Sequence, residues 1–304
     1  MKGLKNIYFK ILFVNVTYLS IINFLIGVKF EHIFISVLCS FLFLYNAKTK
    51  KFILAFGLFV IFGVVYDLMR AFPNYKFNNV DIVNIHNLEK FLFGIQTNLG
   101  KLTPCEYFSI NHNSLFDFLS GFFYINWMSV PLAFAFYLYL KNKEQFLKFS
   151  LVFILTNFLG FVIYYIHPAA PPWYFKEYGA NLIYNTQGNP AGLVRFDELL
   201  NVKVFHAIYS KNANVFAALP SLHSAYPVIV FYYALKNIKG YFNILFGVFM
   251  IGIWFSAVYS GHHYLIDVSA GVLCAVIGIY IFEIMLIKSN KTNILFEKYC
   301  KIIS

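Results

Sequence analysis

A histidine that follows a proline and a serine is the first candidate for chemistry in this sequence. Residues 218–224 read Ala-Leu-Pro-Ser-Leu-His-Ser. Pro220 and Ser221 are typical of a helix start, so we predict His223 in the first turn of a helix. The free N–H groups and the positive dipole end of such a turn favour a bound phosphate. The alternative is a helix cap that carries an interfacial histidine.

A histidine and an aspartate further along the chain form the second candidate. Residues 261–267 read Gly-His-His-Tyr-Leu-Ile-Asp. His263 and Asp267 are spaced i, i+4 and therefore share one face of a helix. A carboxylate on one imidazole nitrogen fixes the tautomer and leaves the other nitrogen as a nucleophile or a base. The alternative is a structural pair that ties down the end of the helix.

Other catalytic patterns are absent from the sequence. It contains no HExxH, no GxxxxGK[ST] and no GxSxG segment, and no histidine set has the spacing of a metal site. The four cysteines form no CxxC pair. We therefore predict neither a metal nor a cofactor.

The elements that position these residues must lie in a membrane. Of the 304 residues, 60% are hydrophobic and 12% are charged, about half the charged fraction of a soluble domain. This excludes an ordinary soluble globule, and 38 Phe with 23 Tyr exclude a disordered chain. The net charge of +11 comes from basic residues scattered among apolar runs, a pattern that sets topology and does not predict nucleic-acid binding.

The hydrophobic pattern predicts an all-α, polytopic membrane helix bundle with about eight transmembrane helices. A spanning helix needs about 20 mainly apolar residues. The eight runs of this kind cover residues 7–28, 31–47, 52–72, 116–140, 146–166, 217–235, 241–260 and 264–287. Two long polar segments, 73–115 and 167–215, lie between them. In the first of these, the stretch 81–110 is predicted to lie as a helix on the membrane surface.

The distribution of basic residues predicts the orientation. Of the 24 Lys and Arg, 15 fall in the termini and the short turns on one side of the bundle. Short Lys-rich loops stay in the cytoplasm, so we expect both termini to be cytoplasmic and the two long segments to face outward. All eight histidines then lie on the outward side. For a bacterial protein this places the active site on the periplasmic side of the plasma membrane.

The order of the two motifs resembles the type 2 phosphatidic acid phosphatase superfamily. The family pattern PSGH stands here as PSLH at 220–223, and the pattern SR-x5-HxxxD is matched by residues 256–267. This sequence has Ala257 where the pattern has arginine, and His167 where the family's first motif has the arginine of RP. The phosphate-binding cations of a plain phosphatase are therefore missing.

A closer resemblance is to the inositol phosphorylceramide synthases that aureobasidin targets in fungi, and to their bacterial relatives. Four ordered segments carry it: HPAAPPWY at 167–174, NPAGLVRFD at 189–197, ALPSLHS at 218–224 and HHYLID at 262–267. The segment YDLMR at 66–70 also resembles a YDxxR feature of this group. Four ordered motifs over about 100 residues are more specific than any one of them.

Both arginines of the chain lie within these motifs. Lysine is used everywhere else, so Arg70 and Arg195 are candidates for bidentate recognition of phosphate. The alternative for each is an ion pair, with Asp67 or with Asp197. The other candidates for contact with the substrate are Lys211, Ser221, Asp67, Trp173 and His262.

The resemblance implies a domain organisation. It places a six-helix core of the phosphatase superfamily at residues 51–290. A two-span extension at 1–50 precedes the core, and a cytoplasmic tail at 291–304 follows it.

The resemblance also implies the reaction: a phospho-headgroup, expected to be inositol phosphate from phosphatidylinositol, is moved to ceramide or a similar lipid alcohol. His263 would form a phosphohistidine with Asp267 orienting it, while His223 would act as acid and then as base. One alternative is a lipid phosphate phosphatase that acts on phosphatidate or undecaprenyl pyrophosphate with the same residues. The other is a non-enzymatic lipid-binding membrane protein. The oligomeric state stays open.

Overall fold

The computed structural model describes residues 2–210, 214–286 and 288–304, and helices dominate it. The fourteen α-helices of the described residues are α1 (Lys2–Leu25), α2 (Phe30–Tyr45), α3 (Ala47–Leu68), α4 (Val83–Phe93), α5 (Pro104–Ile110), α6 (Ser114–Lys141), α7 (Lys143–Ile166), α8 (Pro172–Tyr178), α9 (Val194–Leu200), α10 (Val204–Tyr209), α11 (Leu222–Asn237), α12 (Phe242–Tyr259), α13 (Leu265–Tyr280) and α14 (Asn290–Ile303). One short antiparallel hairpin joins β1 (Ile95–Thr97) to β2 (Gly100–Leu102). The predicted all-α fold is confirmed.

Each of the eight predicted spans overlaps one of the long helices. Six helical stretches are long and apolar enough to cross a membrane, and they lie in α1, α3, α6, α7, α12 and the region Leu265–Ile284. Helices α2 and α11 have 16 residues each, so the count of eight crossings stays a prediction. The span predicted from residue 217 begins at Leu222, because Ser221 caps the helix there.

The stretch 81–110 forms two helices and a hairpin in place of the single helix that its pattern predicts. Helix α4 ends at Gly94, the hairpin follows, and Thr103 caps α5 by accepting the N–H of Glu106 at 3.2 Å. The apolar side chains Leu88, Phe91 and Leu92 of α4 are exposed. Its position on a membrane surface stays a prediction.

The chain divides into two compact units. The first contains residues up to Pro73 together with Ile294–Ser304, and the second is Asn74–Asn293. In the first unit α2 packs against α3, and the Tyr299 hydroxyl of α14 donates to the carbonyl of Leu54 at 2.6 Å. The domain boundaries expected at residues 50 and 290 stay predictions.

The second unit is a bundle of α6, α7, α11, α12 and α13 that carries the two predicted motifs at one end. Helix α11 packs against each of the other four helices. The short helices α4, α5, α8, α9 and α10 and the hairpin come from the two long polar segments. Helices α11 and α13 both begin at the end that these short elements contact, so His223 and His263 lie near one another.

Candidate functional site

The three predicted catalytic residues meet at the start of α11 and α13. The Nδ1 atom of His223 lies 3.1 Å from the Nε2 atom of His263. On the other side of the ring, His263 Nδ1 lies 3.6 Å from Asp267 Oδ2. Asp267 is fully buried and His263 is 6% exposed, whereas His223 is half-buried. The predicted order of nucleophile, orienting carboxylate and second histidine is therefore present in the geometry.

The start of α11 is fixed by two hydrogen bonds of Ser221. The Ser221 hydroxyl accepts the N–H of Ser224 at 3.3 Å, which makes Ser221 the N-cap of the helix. The Ser221 N–H donates to the carbonyl of Asp267 at 2.9 Å. This second bond ties the start of the His223 helix directly to the helix of the catalytic carboxylate. Ser221 is buried, and its predicted contact with the substrate stays a prediction.

The loop that carries His263 is held by its own backbone. The N–H groups of His262 and His263 both donate to the carbonyl of Ala257, each at 3.0 Å. Asp267 Oδ2 accepts the N–H of Tyr264 at 2.9 Å and so caps the helix to which it belongs. The same oxygen of Asp267 thus accepts a backbone N–H and faces the imidazole of His263. Its distance to His263 Nδ1 is longer than a hydrogen bond.

His263 has the protonation state that a nucleophile requires. Burial lowers its pKa to about 4, although a hydrogen bond to the Ala218 backbone opposes the shift. The imidazole is therefore neutral at pH 7. With its proton on Nδ1, facing Asp267, its Nε2 keeps a lone pair, which accepts the N–H of His223 Nδ1. This tautomer is assigned from the neighbours of each nitrogen.

Aromatic rings flank the two catalytic histidines. The indole of Trp127 lies edge-on to the His223 ring, with centroids 4.5 Å apart, and Tyr124 lies 5.3 Å from the same ring. Both come from the middle of α6. These rings limit the water around His223 and leave a partly apolar approach to the reacting nitrogens.

His262 has a different environment from its neighbour. Its Nε2 donates to the carbonyl of Pro190 at 2.8 Å, and its ring stacks between Tyr124 and Tyr209 at centroid distances of 5.5 and 4.3 Å. Burial lowers the pKa of His262 to about 3, so it is neutral. The side chain joins the segment around Pro190 to the catalytic loop. Its predicted contact with the substrate stays a prediction.

Two of the sequence motifs are joined by backbone hydrogen bonds to the loop that carries His263. The N–H of Trp173 donates to the carbonyl of Gly261 at 3.1 Å, and the N–H of Gly192 donates to the carbonyl of Ser260 at 2.8 Å. A Cβ on Gly192 would lie 2.9 Å from that carbonyl oxygen, so glycine allows this close approach. The segments HPAAPPWY and NPAGLVRFD are therefore built onto the catalytic loop.

Arg195 pairs with a residue that the sequence pattern did not reveal. Its Nε lies 2.5 Å from Asp117 Oδ1 at the start of α6, and the same oxygen accepts the hydroxyl of Tyr259 at 2.9 Å. The expected alternative partner, Asp197, instead accepts the backbone N–H groups of Phe205 and His206. Asp117 stands in the first turn of an apolar span, a position where a carboxylate needs a partner, and this is the signal that could have found it.

Arg195 and Trp173 line one cavity of about 370 Å³ that combines charged and apolar side chains. The cavity also touches Gly261 and Tyr264, which flank the two histidines in the chain. Its remaining polar lining includes Glu106, Lys176, Glu177 and Asn189. The cavity thus lies against the loop that carries the nucleophile and holds charges of both signs.

Asp67 and Arg70 belong to the first compact unit. Arg70 Nε lies 2.8 Å from one oxygen of Asp67, and His32 Nε2 lies 2.8 Å from the other. The ion pair named as the alternative for Arg70 is therefore formed. Lys211 lies outside the described residues. Phosphate binding by Arg70, Asp67 and Lys211 stays a prediction.

A second carboxylate that the sequence analysis did not select lies beside Asp267. Glu89 of α4 accepts the N–H groups of Leu265 and Ile266 with its two oxygens. It is separated from them by more than half the chain, so no local pattern identifies the contact.

The helical membrane fold and the pair of histidines in contact beside a buried carboxylate are typical of a class of lipid phosphate enzymes. In a comparison with protein families, residues 90–281 match the PAP2 superfamily. The chain belongs to this superfamily.

The curated relatives place the chain in one branch of the superfamily. It is 47% identical over 276 residues, 90% of each chain, to the phosphoinositol dihydroceramide synthase of Bacteroides thetaiotaomicron. It is 34% identical over 131 residues to the catalytic subunit of inositol phosphorylceramide synthase from Saccharomyces cerevisiae, covering 42% of this chain and 31% of that protein. It is 33% identical over 159 residues to the inositol phosphorylceramide synthase of Candida albicans, covering 51% and 32%.

These findings confirm the predicted resemblance and the prediction of a lipid phosphotransferase of this superfamily. The fungal matches span about a third of those proteins, whereas the bacterial match spans nearly all of both chains. No solved structure matches the chain.

Proposed function

We propose that the protein transfers inositol phosphate from phosphatidylinositol to ceramide or dihydroceramide through a phosphohistidine. The observation that carries the proposal is the contact of His223 Nδ1 with His263 Nε2 at 3.1 Å, beside the buried carboxylate of Asp267. The name of the bacterial relative supports the transferred phosphoinositol group and the acceptor.

The first step replaces an ester bond by a bond to nitrogen. The Nε2 lone pair of His263 attacks the phosphorus, and the bond from phosphorus to the diacylglycerol oxygen breaks. His223 enters the step as an imidazolium. Its Nδ1 proton leaves the resting hydrogen bond to His263 Nε2, which frees the lone pair for attack, and moves to the leaving oxygen, so His223 becomes a neutral imidazole. Asp267 stabilises the positive charge that develops on the His263 ring. Diacylglycerol leaves and the inositol phosphate stays on His263.

The second step reverses the roles. The primary hydroxyl of the ceramide attacks the phosphorus, and the bond from phosphorus to His263 Nε2 breaks. His223, now lacking its Nδ1 proton, accepts the proton of the attacking hydroxyl. The product is an inositol phosphorylceramide, and both histidines return to their starting states.

Several groups are placed to hold the phosphoryl oxygens. The first N–H groups of α11, at Leu222 and His223, have no partner within the helix and lie at the positive end of its dipole. Arg195 is the proposed cation from the same unit, while phosphate contact by Arg70 and Lys211 stays a prediction from the sequence. Charge-assisted hydrogen bonds of this kind stabilise a phosphoryl group without a metal.

The cavity lined by Arg195 and Trp173 is the proposed place for the inositol ring. Its lining combines Glu106, Glu177 and Asn189, which can exchange hydrogen bonds with hydroxyl groups, with the aromatic faces of Trp173 and Tyr264. A headgroup is joined directly to the reacting phosphorus, and this cavity borders the loop of the nucleophile. Its carboxylates and cations favour a neutral, hydroxyl-rich ligand over a strongly charged one.

The proposed orientation puts the site on the periplasmic side of a bacterial plasma membrane, with both termini in the cytoplasm. It rests on the Lys and Arg partition between the short turns and the two long segments.

Purified protein in lipid nanodiscs with labelled phosphatidylinositol tests the function. Thin-layer chromatography after addition of ceramide or dihydroceramide should show a new phosphosphingolipid, and His263→Ala protein should give none. Rapid release of free inositol phosphate that ceramide does not divert would favour the lipid phosphatase instead. No turnover of any lipid would favour a non-enzymatic lipid binder.

A further inference from the structure

A carboxylate outside the catalytic trio lies at the start of the helix that carries Asp267. Glu89 of α4 is fully buried. Its Oε1 accepts the N–H of Leu265 at 2.9 Å, and its Oε2 accepts the N–H of Ile266 at 3.1 Å. Both donors belong to the first turn of α13. The carboxylate thus caps a helix that lies far from it in sequence.

The start of α13 needs this second carboxylate. The first N–H groups of a helix have no partner within the helix, and a buried N–H without a partner is costly. Asp267 accepts the N–H of Tyr264 and leaves the next two to Glu89. Two carboxylates therefore share three consecutive N–H groups, and neither is placed to serve all three.

This division keeps Asp267 directed towards His263. The same oxygen of Asp267 accepts the Tyr264 N–H at 2.9 Å and faces His263 Nδ1 at 3.6 Å. Without Glu89, the free N–H groups at the helix start would compete for the Asp267 carboxylate or the first turn would unwind. In both cases the carboxylate would move away from the imidazole that it orients.

A second side chain of α4 holds the same loop. His86, one turn before Glu89, is buried, and its Nδ1 lies 3.2 Å from the hydroxyl of Tyr264. Its ring stacks on Phe175 of α8, with centroids 3.8 Å apart and planes 16° apart. His86 therefore holds helix α4 against Tyr264 and Phe175 one turn before Glu89, which helps to define the position of the carboxylate relative to α13.

Burying the carboxylate of Glu89 costs more free energy than a helix cap requires. Burial raises its pKa to about 7, its two backbone hydrogen bonds oppose the shift, and the charge of Asp267 adds to it. A serine or threonine can cap a helix without burying a charge. The cost of a buried carboxylate beside a second one points to a role beyond holding the backbone.

We propose that Glu89 is a positioning residue that fixes the start of α13 so that Asp267 stays turned towards His263. It touches no reacting atom and acts on the reaction through the Asp267–His263 pair. The inference rests on the proposed function of that pair in turnover.

A double-mutant cycle in nanodiscs tests whether Glu89 acts through Asp267. The variants are Glu89→Ala, Asp267→Asn and the double variant, each assayed for transfer from phosphatidylinositol. Glu89→Ala should lower kcat roughly 10- to 100-fold, the size expected when charged hydrogen bonds are lost, with KM changed less than about twofold. In the Asp267→Asn background the same substitution should cost less than about threefold, because the residue through which it acts is already disabled.

Three controls keep the test decisive. Glu198→Ala removes an exposed carboxylate of the same unit and should leave turnover unchanged. Glu89→Gln keeps the shape of the side chain and one acceptor oxygen, so we expect it to fold and to have an intermediate kcat. It therefore tests the inference even if Glu89→Ala does not fold. The melting temperature of each variant shows whether a lower activity comes from unfolded protein or from a lower kcat of folded protein.

Two results would overturn the inference. One is an equal loss from Glu89→Ala in both backgrounds, since that identifies a general structural contact. The other is wild-type kcat in folded Glu89→Gln and Glu89→Ala protein. If Asp267→Asn alone keeps wild-type turnover, the proposed function of the pair fails as well, and the single variant reveals this separately.

Discussion

Gly271 of α13 lies directly against the carbonyl oxygen of Ser221, the residue that caps the His223 helix. A Cβ on Gly271 would lie 2.0 Å from that oxygen. The absence of a side chain thus lets the two catalytic helices approach closely enough for their histidines to touch.

Gly271→Ala should therefore separate the two histidines. The atom in the way belongs to the backbone, so the helices must shift, and overpacking of this kind costs about 1–3 kcal/mol. We expect a lower melting temperature and a transfer rate reduced at least roughly tenfold.

Gly247→Ala is the matched control for this substitution. Gly247 is also in a spanning helix. A Cβ on Gly247 would lie 3.5 Å from the nearest ring carbon of Phe231, which is an ordinary contact distance. This variant should melt and turn over like the wild type. Equal behaviour of both variants would contradict the close-approach argument.

His263 and Asp267 should differ in how completely their loss stops turnover. His263→Ala removes the nucleophile and should leave no phosphosphingolipid product. Asp267→Asn keeps the shape but can favour the wrong tautomer, so we expect a loss on the order of 10²- to 10⁴-fold. The rates are measured in nanodiscs on protein whose melting temperature is recorded, with His206→Ala as a control. Wild-type turnover by folded His263→Ala protein would exclude His263 as the nucleophile.

The two adjacent histidines should stay neutral in mildly acidic solution. Burial lowers the pKa of His263 to about 4 and that of His262 to about 3, against about 6.5 for an ordinary histidine. Ring-nitrogen NMR of histidine-labelled protein, with His262→Ala and His263→Ala for assignment, should show these low midpoints. A His263 midpoint near 6.5 would contradict its buried, neutral state.

The same pKa shifts predict how stability depends on pH. The unfolded chain binds these two protons near pH 6.5, whereas the folded protein binds them only near pH 3 to 4. The neutral rings therefore stabilise the fold fully above about pH 6.5, and the free energy of unfolding falls as the pH drops from there towards 4.

The orientation is tested by cysteine labelling in intact cells. In a background without the native cysteines, Gln187→Cys lies in the segment predicted to face outward and Lys239→Cys in a Lys-rich turn. Both positions are exposed. A membrane-impermeant maleimide should label 187 directly and 239 only after permeabilisation. The reverse pattern would overturn the periplasmic placement of the site.

The sequence predicted those contacts of the proposed catalytic residues that depend on local spacing. His263 and Asp267 share a helix face because they are four residues apart, and Ser221 caps α11 because its side chain suits that position. The eight apolar runs predicted the positions of the long helices, because the length of an apolar run is also a local property of the sequence. What joins the motifs could not be found in this way. Their contacts depend on how the helices pack.

The partners of the buried charges show this limit. Arg195 reaches Asp117 rather than the neighbouring Asp197, and Glu89 reaches the start of α13. Both contacts join residues more than 70 positions apart. Burial leaves each charge in need of a partner, but a single sequence does not say which long-range partner the fold supplies.

Arg195 is the proposed cation for the phosphate of the donor. Its Nε is taken by Asp117, and the residue lines the cavity proposed for the headgroup. Arg195→Ala should raise the KM for phosphatidylinositol roughly 10- to 100-fold, because charged hydrogen bonds to the phosphate are lost. Lysine cannot hold Asp117 and a phosphate together, so Arg195→Lys should recover little.

Arg195→Ala also removes the arginine from the buried Asp117 carboxylate, which keeps Tyr259 and His112 as neighbours. This loss would destabilise the fold whether or not Arg195 binds substrate. The double variant Asp117→Asn with Arg195→Ala removes the carboxylate charge. It should regain melting temperature while the KM for the donor stays high. If the double variant regains a wild-type KM, Arg195 acts only by balancing Asp117, and its assignment to phosphate binding is wrong.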